Sequence, residues 1–263
     1  MGLKRFQPAI EDCQQALFIL SSPSQPPNPA ALSKTLLRLA RCQYSLGLAS
    51  PASASLTRLL DAEPTNAAAL QLKSKVTVLE GHIKNFESSK ANNDWGMARL
   101  SLEKCTQVVD AEGGVIPGEW RMWKVDLDLA RGNLEAAGLA ATDVLRIMKN
   151  SPDAYALRAK VLFLEGKLTV AAQHCAQALR LDPGHEQASA LRKRVKVVEA
   201  AKDEGNLLFK QGKLLDAVEA YEKALEAIGK AEAEGKGGQI RATLLSNKAT
   251  SLLKVCALAK VLG

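Results

Sequence analysis

Three polar residues towards the end of the sequence have the types needed to bind a carboxylate. Lys202 and Asn206 are four residues apart, so on a helix they share one face. Asn247 stands in a later stretch of helical pattern, ATLLSNKATSLLK. Because asparagine is unfavourable in the middle of a helix, its use at both positions indicates a ligand-facing role. One ammonium and two amides, if the fold brings them together, suit the C-terminal carboxylate of a peptide.

The composition favours helices in a soluble protein. The chain has 263 residues, of which 47% are hydrophobic and only 4% aromatic. Alanine and leucine dominate, which suits closely packed helices. No apolar run is long enough to span a membrane, and the N-terminus lacks the pattern of a signal peptide. We therefore expect a cytoplasmic protein with no membrane partner.

Cysteine and histidine patterns favour neither catalysis nor metal binding. The five cysteines contain no CxxC pair, which fits a reducing compartment, and the histidines form no metal-ligand motif. No phosphate-binding loop or nucleophile elbow is present, and no carboxylate pair stands out from the helix faces. We expect no enzyme activity, no metal and no cofactor. Four cysteines are predicted to be small core residues: Cys13, Cys42, Cys105 and Cys175.

A repeated pair of helices explains how side chains such as these are positioned. The clearest unit is PDAYALRAKVLFLEGKLTVAAQHCAQALRLDPGH, residues 152–185. Ala159 and Ala171 stand where its two helices must cross closely. Gly166 supplies a left-handed turn between the helices, and Pro183 ends the second one. This pattern resembles the tetratricopeptide repeat, in length as well as in residue types.

The repeat extends along the whole sequence. An alanine recurs at the equivalent crossing position of six units: Ala9, Ala52, Ala98, Ala137, Ala171 and Ala217. The intervals from Ala52 to Ala98 and from Ala171 to Ala217 each exceed one repeat by about three helical turns. We therefore predict an all-α, right-handed superhelical solenoid of about six antiparallel helix pairs, incomplete at both ends, with two lengthened joining helices.

The unit that contains Lys202 follows the same pattern. Gly205 is predicted to be the small residue of its first helix, at a place where no larger side chain fits. Gly212 forms the turn, and Tyr221 fills the groove between the two helices. The repeat around Ala98 fits less well, because Phe86 occupies its small-residue position.

The repeats divide the sequence into three parts. Residues 1–66 are predicted to be the end of a first module, 67–196 middle repeats with lengthened joining helices, and 197–263 the start of a second, clamp-type module. The stretches Ser21–Leu32 and Gly229–Gly238 are rich in turn-forming residues. Both are predicted to be flexible loops.

The polar residues resemble a known peptide-binding site. Lys202-x-x-Gly205-Asn206, followed by Ser-Asn-Lys-Ala around Asn247, is similar to the first two repeats of carboxylate-clamp tetratricopeptide domains. That resemblance implies binding of the Glu-Glu-Val-Asp tails of cytosolic Hsp70 and Hsp90. Lys202, Asn206 and Asn247 would then hold the terminal carboxylate. The family clamp is completed by a lysine and an arginine of a third repeat, which does not follow here, so we expect weakened binding.

A second candidate clamp lies near the start of the chain. Lys34 and Arg38 occupy positions that match the third-repeat cations of the family. The lysine and asparagines that would precede them are not in the sequence. Such residues are equally typical of a solvated helix face.

The order of modules, from about Leu3 to Val255, resembles the repeat region of the cytosolic DnaJ (Hsp40) co-chaperones. Those proteins place a J domain with a His-Pro-Asp tripeptide after the last repeat, and this sequence contains no such tripeptide. We therefore expect no stimulation of the Hsp70 ATPase, and we expect a fragment or variant of such a protein. The predicted function is that of a non-catalytic, co-chaperone-like adaptor.

Two alternatives stay open at this point. One is a general tetratricopeptide scaffold that reads another peptide, with Trp120 and Trp123 as candidate contacts beside their more typical role in a core. The other is a basic, RNA-associated helical repeat, which the net charge of +7 allows. The sequence shows no arginine-rich block or aromatic platform that would favour nucleic acid.

Overall fold

The computed structural model describes residues 5–22 and 28–262. These residues form twelve α-helices, one 3-10 helix and no β-strand, which confirms the all-α prediction. No helix within the described ranges is both long enough and apolar enough to cross a membrane. Chain contacts divide the protein into two compact units, residues 1–120 and 121–263.

Unit 1 is a stack of antiparallel helices in which each helix packs against the next along the chain. Side-chain oxygens of Asn28, Asn66 and Asp94 accept hydrogen bonds from first-turn amides and so begin three of these helices. The helices are α1 (Phe6–Leu20), α2 (Pro29–Ser45), α3 (Ala49–Ala62), α4 (Ala67–Ala91) and α5 (Trp95–Ala111).

Unit 2 continues the pattern of helix pairs. Asn133, Ser151 and His185 accept the corresponding capping hydrogen bonds at the starts of α7, α8 and α10. The helices are α6 (Gly118–Ala130, whose first residues belong to unit 1), α7 (Leu134–Ile147), α8 (Pro152–Leu164), α9 (Leu168–Leu181), α10 (Glu186–Lys210), α11 (Leu214–Ile228) and α12 (Gly238–Leu262).

The turns inside the helix pairs follow the predicted chemistry. Gly47, Gly132, Gly166 and Gly212 have positive φ angles of 69°, 74°, 82° and 78°. Glycine reaches this left-handed region without the steric cost that a Cβ imposes. The turn between α4 and α5 instead uses Asn93, at φ 58°. Asparagine tolerates this conformation, so the repeat persists where the sequence shows no turn glycine.

The predicted crossing alanines lie in the core, with one exception. Five of them are 0% exposed: Ala52, Ala98, Ala137, Ala171 and Ala217. Ala9 differs, since it is only half-buried on α1, a helix that packs chiefly against α2. The register along the chain therefore predicts burial at five of the six crossing positions.

The two lengthened helices are present as predicted. Helices α4 and α10 each contain 25 residues. Helix α4 packs against both α3 and α5, and α10 packs against both α9 and α11. Each long helix therefore serves two successive repeats, which explains the extra turns between their crossing alanines.

One predicted loop is instead ordered structure. Within Gly229–Gly238, residues Glu232–Gly237 form a 3-10 helix, and its Glu234 binds Arg194 of α10. The prediction of a flexible loop was wrong here because a distant arginine fixes the segment. The other predicted loop, Ser21–Leu32, is shorter than expected, since α2 already begins at Pro29; residues 23–27 lie outside the described ones.

Candidate functional site

The two asparagines predicted to share a site do meet in unit 2. The Asn247 side-chain nitrogen on α12 lies 3.4 Å from the Asn206 side-chain oxygen on α10. The Tyr221 hydroxyl on α11 donates a 2.9 Å hydrogen bond to the same oxygen. Because that oxygen accepts both bonds, the Asn206 amide nitrogen keeps its two N–H groups for another acceptor. Three helices thus build one cluster of amide donors.

Gly205 explains the position of Tyr221. A Cβ atom at Gly205 would lie 2.6 Å from the tyrosine ring, a distance that no packed side chain tolerates. The absence of a side chain lets the ring lie against α10, with its hydroxyl one residue further on at Asn206. Burial raises the pKa of Tyr221, with a smaller opposing effect of its hydrogen bonding to Asn247, so the hydroxyl stays protonated and donates.

Lys202 lies one turn before Asn206 and is half-buried. It borders a cavity of about 380 Å³ between α10 and the turn from α8 to α9, together with Glu199 and Asp203. It forms no ion pair with a described residue. Neither asparagine borders this cavity, so Lys202 flanks the pair of amides rather than joining their hydrogen-bond network. Its part in a carboxylate site stays a prediction.

A half-buried ionic cluster sets the start of α12. The Arg194 guanidinium binds both oxygens of Glu234, at 3.0 and 2.8 Å. It also donates to the carbonyls of Ala227 and Ile228 at the end of α11, and it lies 5.1 Å from the centre of the Phe163 ring. One side chain therefore joins α8, α10, the end of α11 and the 3-10 helix.

The charges of this cluster support each other. Burial raises the pKa of the Glu234 carboxyl, but the hydrogen bonds and charge of Arg194, with the charge of Lys160, outweigh burial and hold it below its ordinary value. Hydrogen bonding to Glu234 raises the pKa of Arg194. Lys160 also lies 3.7 Å from Asp126, so the network reaches α6.

The first turn of α12 is held by close contacts as well. A Cβ on Gly238 would lie 2.7 Å from the carbonyl oxygen of Leu164, so this glycine allows α12 to begin directly against the end of α8. Arg241 donates to the carbonyls of Leu225 and Gly229. These contacts fix where α12 begins, and hence where Asn247 meets Asn206.

Sequence reasoning missed several residues that build this site. Tyr221 was assigned only to packing, and Arg194 and Glu234 were not singled out. No local sequence motif identifies the ion pair of Arg194 and Glu234, because the two residues are 40 positions apart and belong to different repeats. The segment Gly229–Gly238 gave a weak signal of additional structure, because it is longer than a usual turn between two helices.

In unit 1 the second candidate pair remains a surface feature. Lys34 and Arg38 lie one turn apart on α2, and both are exposed. Neither forms an ion pair with a residue in the described part of the chain. The structure therefore gives Lys34 and Arg38 no cluster of amide donors like that of unit 2. Their role in binding stays a prediction.

The tryptophans lie in the core. Trp120 is 3% exposed and Trp123 is 9% exposed, which contradicts a role for either as a surface platform for peptides. Cys105 and Cys175 are buried as predicted, while Cys13 and Cys42 are half-buried. Among the described residues, no cluster of histidine, cysteine and carboxylate side chains could hold a metal ion.

The amino-acid sequence was compared with known families and proteins, and the matches are to tetratricopeptide-repeat and DnaJ-homologue proteins. A tetratricopeptide-repeat family model matches residues 204–230, which include Asn206 and Tyr221. The chain is 32% identical over 164 residues to a DnaJ homolog subfamily C member 7 homolog of Schizosaccharomyces pombe, covering 62% of this chain and 33% of that protein. It is 28% identical over 225 residues to the human and mouse DnaJ homolog subfamily C member 7, covering 86% of this chain and 43% of each of them.

A solved structure, described as the P58(IPK) TPR domain, aligns with a TM-score of 0.48 and 14% sequence identity, covering 94% of this chain and 69% of that one. The chain spans from a third to less than half of the length of the curated relatives that it matches. Together, the helix pairs, the buried crossing alanines and the family match over residues 204–230 lead to one conclusion: the described residues form an all-α repeat fold of the tetratricopeptide type, and the chain is similar over most of its length to the DnaJ homolog subfamily C member 7 proteins.

Proposed function

We propose that the chain is a non-catalytic, cytoplasmic adaptor that binds the acidic C-terminal Glu-Glu-Val-Asp tails of Hsp70 and Hsp90. The observation that carries this proposal is the meeting of Asn206 and Asn247 across two repeats. A pair of asparagines held together by a tyrosine contributes little to a hydrophobic core. The same pair is well suited to a ligand with a carboxylate.

The chemistry of binding follows from the donors. With its oxygen engaged by Tyr221 and Asn247, Asn206 directs its amide nitrogen to a terminal carboxylate, and Asn247 has a second N–H for the same purpose. Hydrogen bonds to a charged acceptor contribute more than those between neutral groups. Lys202, one helical turn away, adds a positive charge. Gly205 and the Arg194 cluster hold these side chains in place before the peptide binds. Little conformational entropy is therefore lost on binding.

The relatives support the chaperone context of the proposal. Their names identify DnaJ homologues, and 86% of this chain aligns with the human and mouse proteins. The part of the molecule that carries Asn206 and Tyr221 is also the part that the repeat model matches.

Fluorescence anisotropy with a labelled peptide ending in Glu-Glu-Val-Asp tests the proposal. We expect the peptide with a free C-terminus to bind at least about tenfold more tightly than the same peptide with an amidated end, since hydrogen bonds to a charged group contribute about 1.5–3 kcal/mol. Asn206→Ala and Asn247→Ala should each remove this preference. Lys202→Ala should weaken both peptides.

Lys210→Ala is the matched control, because this exposed lysine lies on the same helix two turns beyond Lys202. It should leave the preference for the free carboxylate unchanged. Equal binding of the free and amidated peptides by the unmodified chain would reduce the interaction to bulk charge and exclude the proposed adaptor function. Binding that persists in Asn206→Ala with full preference would place the carboxylate elsewhere.

A further inference from the structure

A polar cavity in unit 1 lies outside the site described above. It has a volume of about 320 Å³ and opens between α2, α4 and the residue that follows α5. Helix α2 contributes Arg41 and Tyr44, helix α4 contributes Gln71 and Lys75, and Glu112 lies at its edge. Pockets of this size are at the small end of those that bind ligands.

The cavity has an excess of positive charge. Its lining contains two cations, Arg41 and Lys75, and one carboxylate, Glu112. The Lys75 ammonium and the Glu112 carboxylate form an ion pair in which both side chains are partly exposed. Arg41 is exposed and forms no ion pair with a described residue. The cavity thus already holds one carboxylate from its own chain, beside a guanidinium that has no counter-charge.

Tyr44 gives the cavity a donor without an internal acceptor. Its side chain is buried, with 3% of the residue exposed, and its hydroxyl makes no hydrogen bond to a described residue. Burial raises the pKa of Tyr44, and the charge of Glu112 raises it further, so the hydroxyl stays neutral and can donate. The residue is buried as a whole but lines the cavity, so a ligand in the cavity can offer the hydroxyl an acceptor.

The cavity continues the exposed cations of α2. Lys34, Arg38 and Arg41 stand at positions i, i+4 and i+7, which form one stripe along the helix. The stripe leads from the second candidate clamp to the cavity. An extended peptide along it would meet three cations in succession and then the Tyr44 hydroxyl.

We propose that this cavity is a subsite for an acidic side chain of a peptide, in which Arg41, Tyr44 and Lys75 hold the carboxylate and Glu112 is an internal carboxylate that the peptide displaces. The subsite goes beyond the adaptor function proposed above, because it reads acidic side chains and not the peptide terminus. It uses neither Asn206 nor Asn247, so each proposal can fail without the other.

The test uses the full chain and a labelled peptide of four glutamates with acetylated and amidated ends, measured by fluorescence anisotropy. Glu112→Gln should tighten binding by about threefold, because it removes the internal competitor for Lys75. Arg41→Gln should weaken binding by a similar factor. Tyr44→Phe should also weaken it, with an unchanged melting temperature.

The neighbouring pair on α5 supplies controls with the same change in charge. Arg99 and Glu103 bind each other at 3.1 Å, exposed and within unit 1. Glu103→Gln and Arg99→Gln should leave the affinity within the error of the measurement. Asn206→Ala should have no effect on this capped peptide.

The outcomes are distinct. Opposite effects of Glu112→Gln and Arg41→Gln, absent in the α5 controls, support the subsite. Equal tightening by Glu112→Gln and Glu103→Gln would show attraction by net charge alone and overturn it. No binding of the capped peptide, or loss of binding in Asn206→Ala, would overturn it as well.

Discussion

The two units present polar residues to solvent in different ways. In unit 2, neutral amides on α10 and α12 meet through Tyr221, and a half-buried ionic cluster fixes the helix that carries one of them. In unit 1, cations stand along a single helix, and one partly exposed ion pair lines the cavity beside them. The site in unit 2 depends on hydrogen bonds between repeats, while the surface in unit 1 combines a stripe of cations on α2 with a cavity that α4 and Glu112 also line.

The difference between the two units follows from the distances over which hydrogen bonds and charges act. An amide hydrogen bond requires a short distance and a favourable angle, so amides are useful only when tertiary structure holds them in place. A charge acts over several ångströms in water and tolerates a mobile side chain. We therefore expect unit 2 to lose function when its supporting contacts are removed, and unit 1 to respond mainly to changes in charge.

The largest effect should come from removing the cation that fixes α12. Arg194→Gln leaves Glu234, whose side chain is 15% exposed, without its partner. Loss of one member of a buried pair costs about 3–5 kcal/mol, and because the Arg194 side chain is 33% exposed we expect about 2–3 kcal/mol in the free energy of unfolding. Urea unfolding measures this change.

Arg146→Gln is the matched control in unit 2. Arg146 pairs with Asp143 at 3.1 Å, but their side chains are 75% and 62% exposed. Its loss should change the free energy of unfolding by less than about 0.5 kcal/mol. If both variants lose the same small amount, the Arg194 cluster does not fix α12.

Glycine-to-alanine substitutions in the two long helices, α10 and α4, should have opposite effects on stability. Gly205→Ala places a Cβ 2.6 Å from Tyr221, so overpacking should exceed the gain of about 1 kcal/mol in helix propensity and lower the free energy of unfolding by about 1 kcal/mol. Gly81→Ala on α4 has no atom within 4 Å of the new Cβ and should raise it by about 1 kcal/mol. Thermal unfolding of the two variants should shift in opposite directions; equal shifts would contradict the close approach at Gly205.

Removing the Tyr221 hydroxyl should lower stability, whereas removing the Tyr44 hydroxyl should not. Tyr221→Phe loses the 2.9 Å bond to Asn206, which should cost about 1 kcal/mol of unfolding free energy and weaken binding of a free-carboxylate peptide. Tyr44→Phe loses no described hydrogen bond, so without a ligand the protein should be as stable as before. A destabilisation by Tyr44→Phe equal to that by Tyr221→Phe would show that the Tyr44 hydroxyl has a partner in the free protein.

The most gradual effect concerns acid stability. The pKa of Glu234 is lowered in the folded protein from 4.5, so its contribution to stability is present above that value and is lost as the pH falls through the folded pKa. Between about pH 5 and pH 3, the unmodified chain should therefore lose more stability than Glu234→Gln, by at most about 1.4 kcal/mol per pH unit for one proton. Parallel curves of unfolding free energy against pH would mean that Glu234 titrates normally.

Much of the fold could be predicted from local pattern. The turn glycines and crossing alanines recur in register because every helix pair meets the same steric requirement, and this periodicity also revealed the lengthened helices α4 and α10. Gly229–Gly238 could not be predicted in this way. Its composition is typical of a loop, and only Arg194, 40 residues away from Glu234, makes it an ordered segment.

The sequence by itself determined the helix-pair repeat and the polar residue types at Lys202, Asn206 and Asn247, since both follow from local periodicity. Only the tertiary structure decided which of these side chains meet. Asn206 and Asn247 come together because Gly205 admits the Tyr221 ring and because Arg194 fixes the start of α12, whereas Lys202 faces a separate cavity. Distances between side chains of different repeats depend on contacts between residues that are far apart in the sequence. The periodicity of one helix contains no information about those contacts.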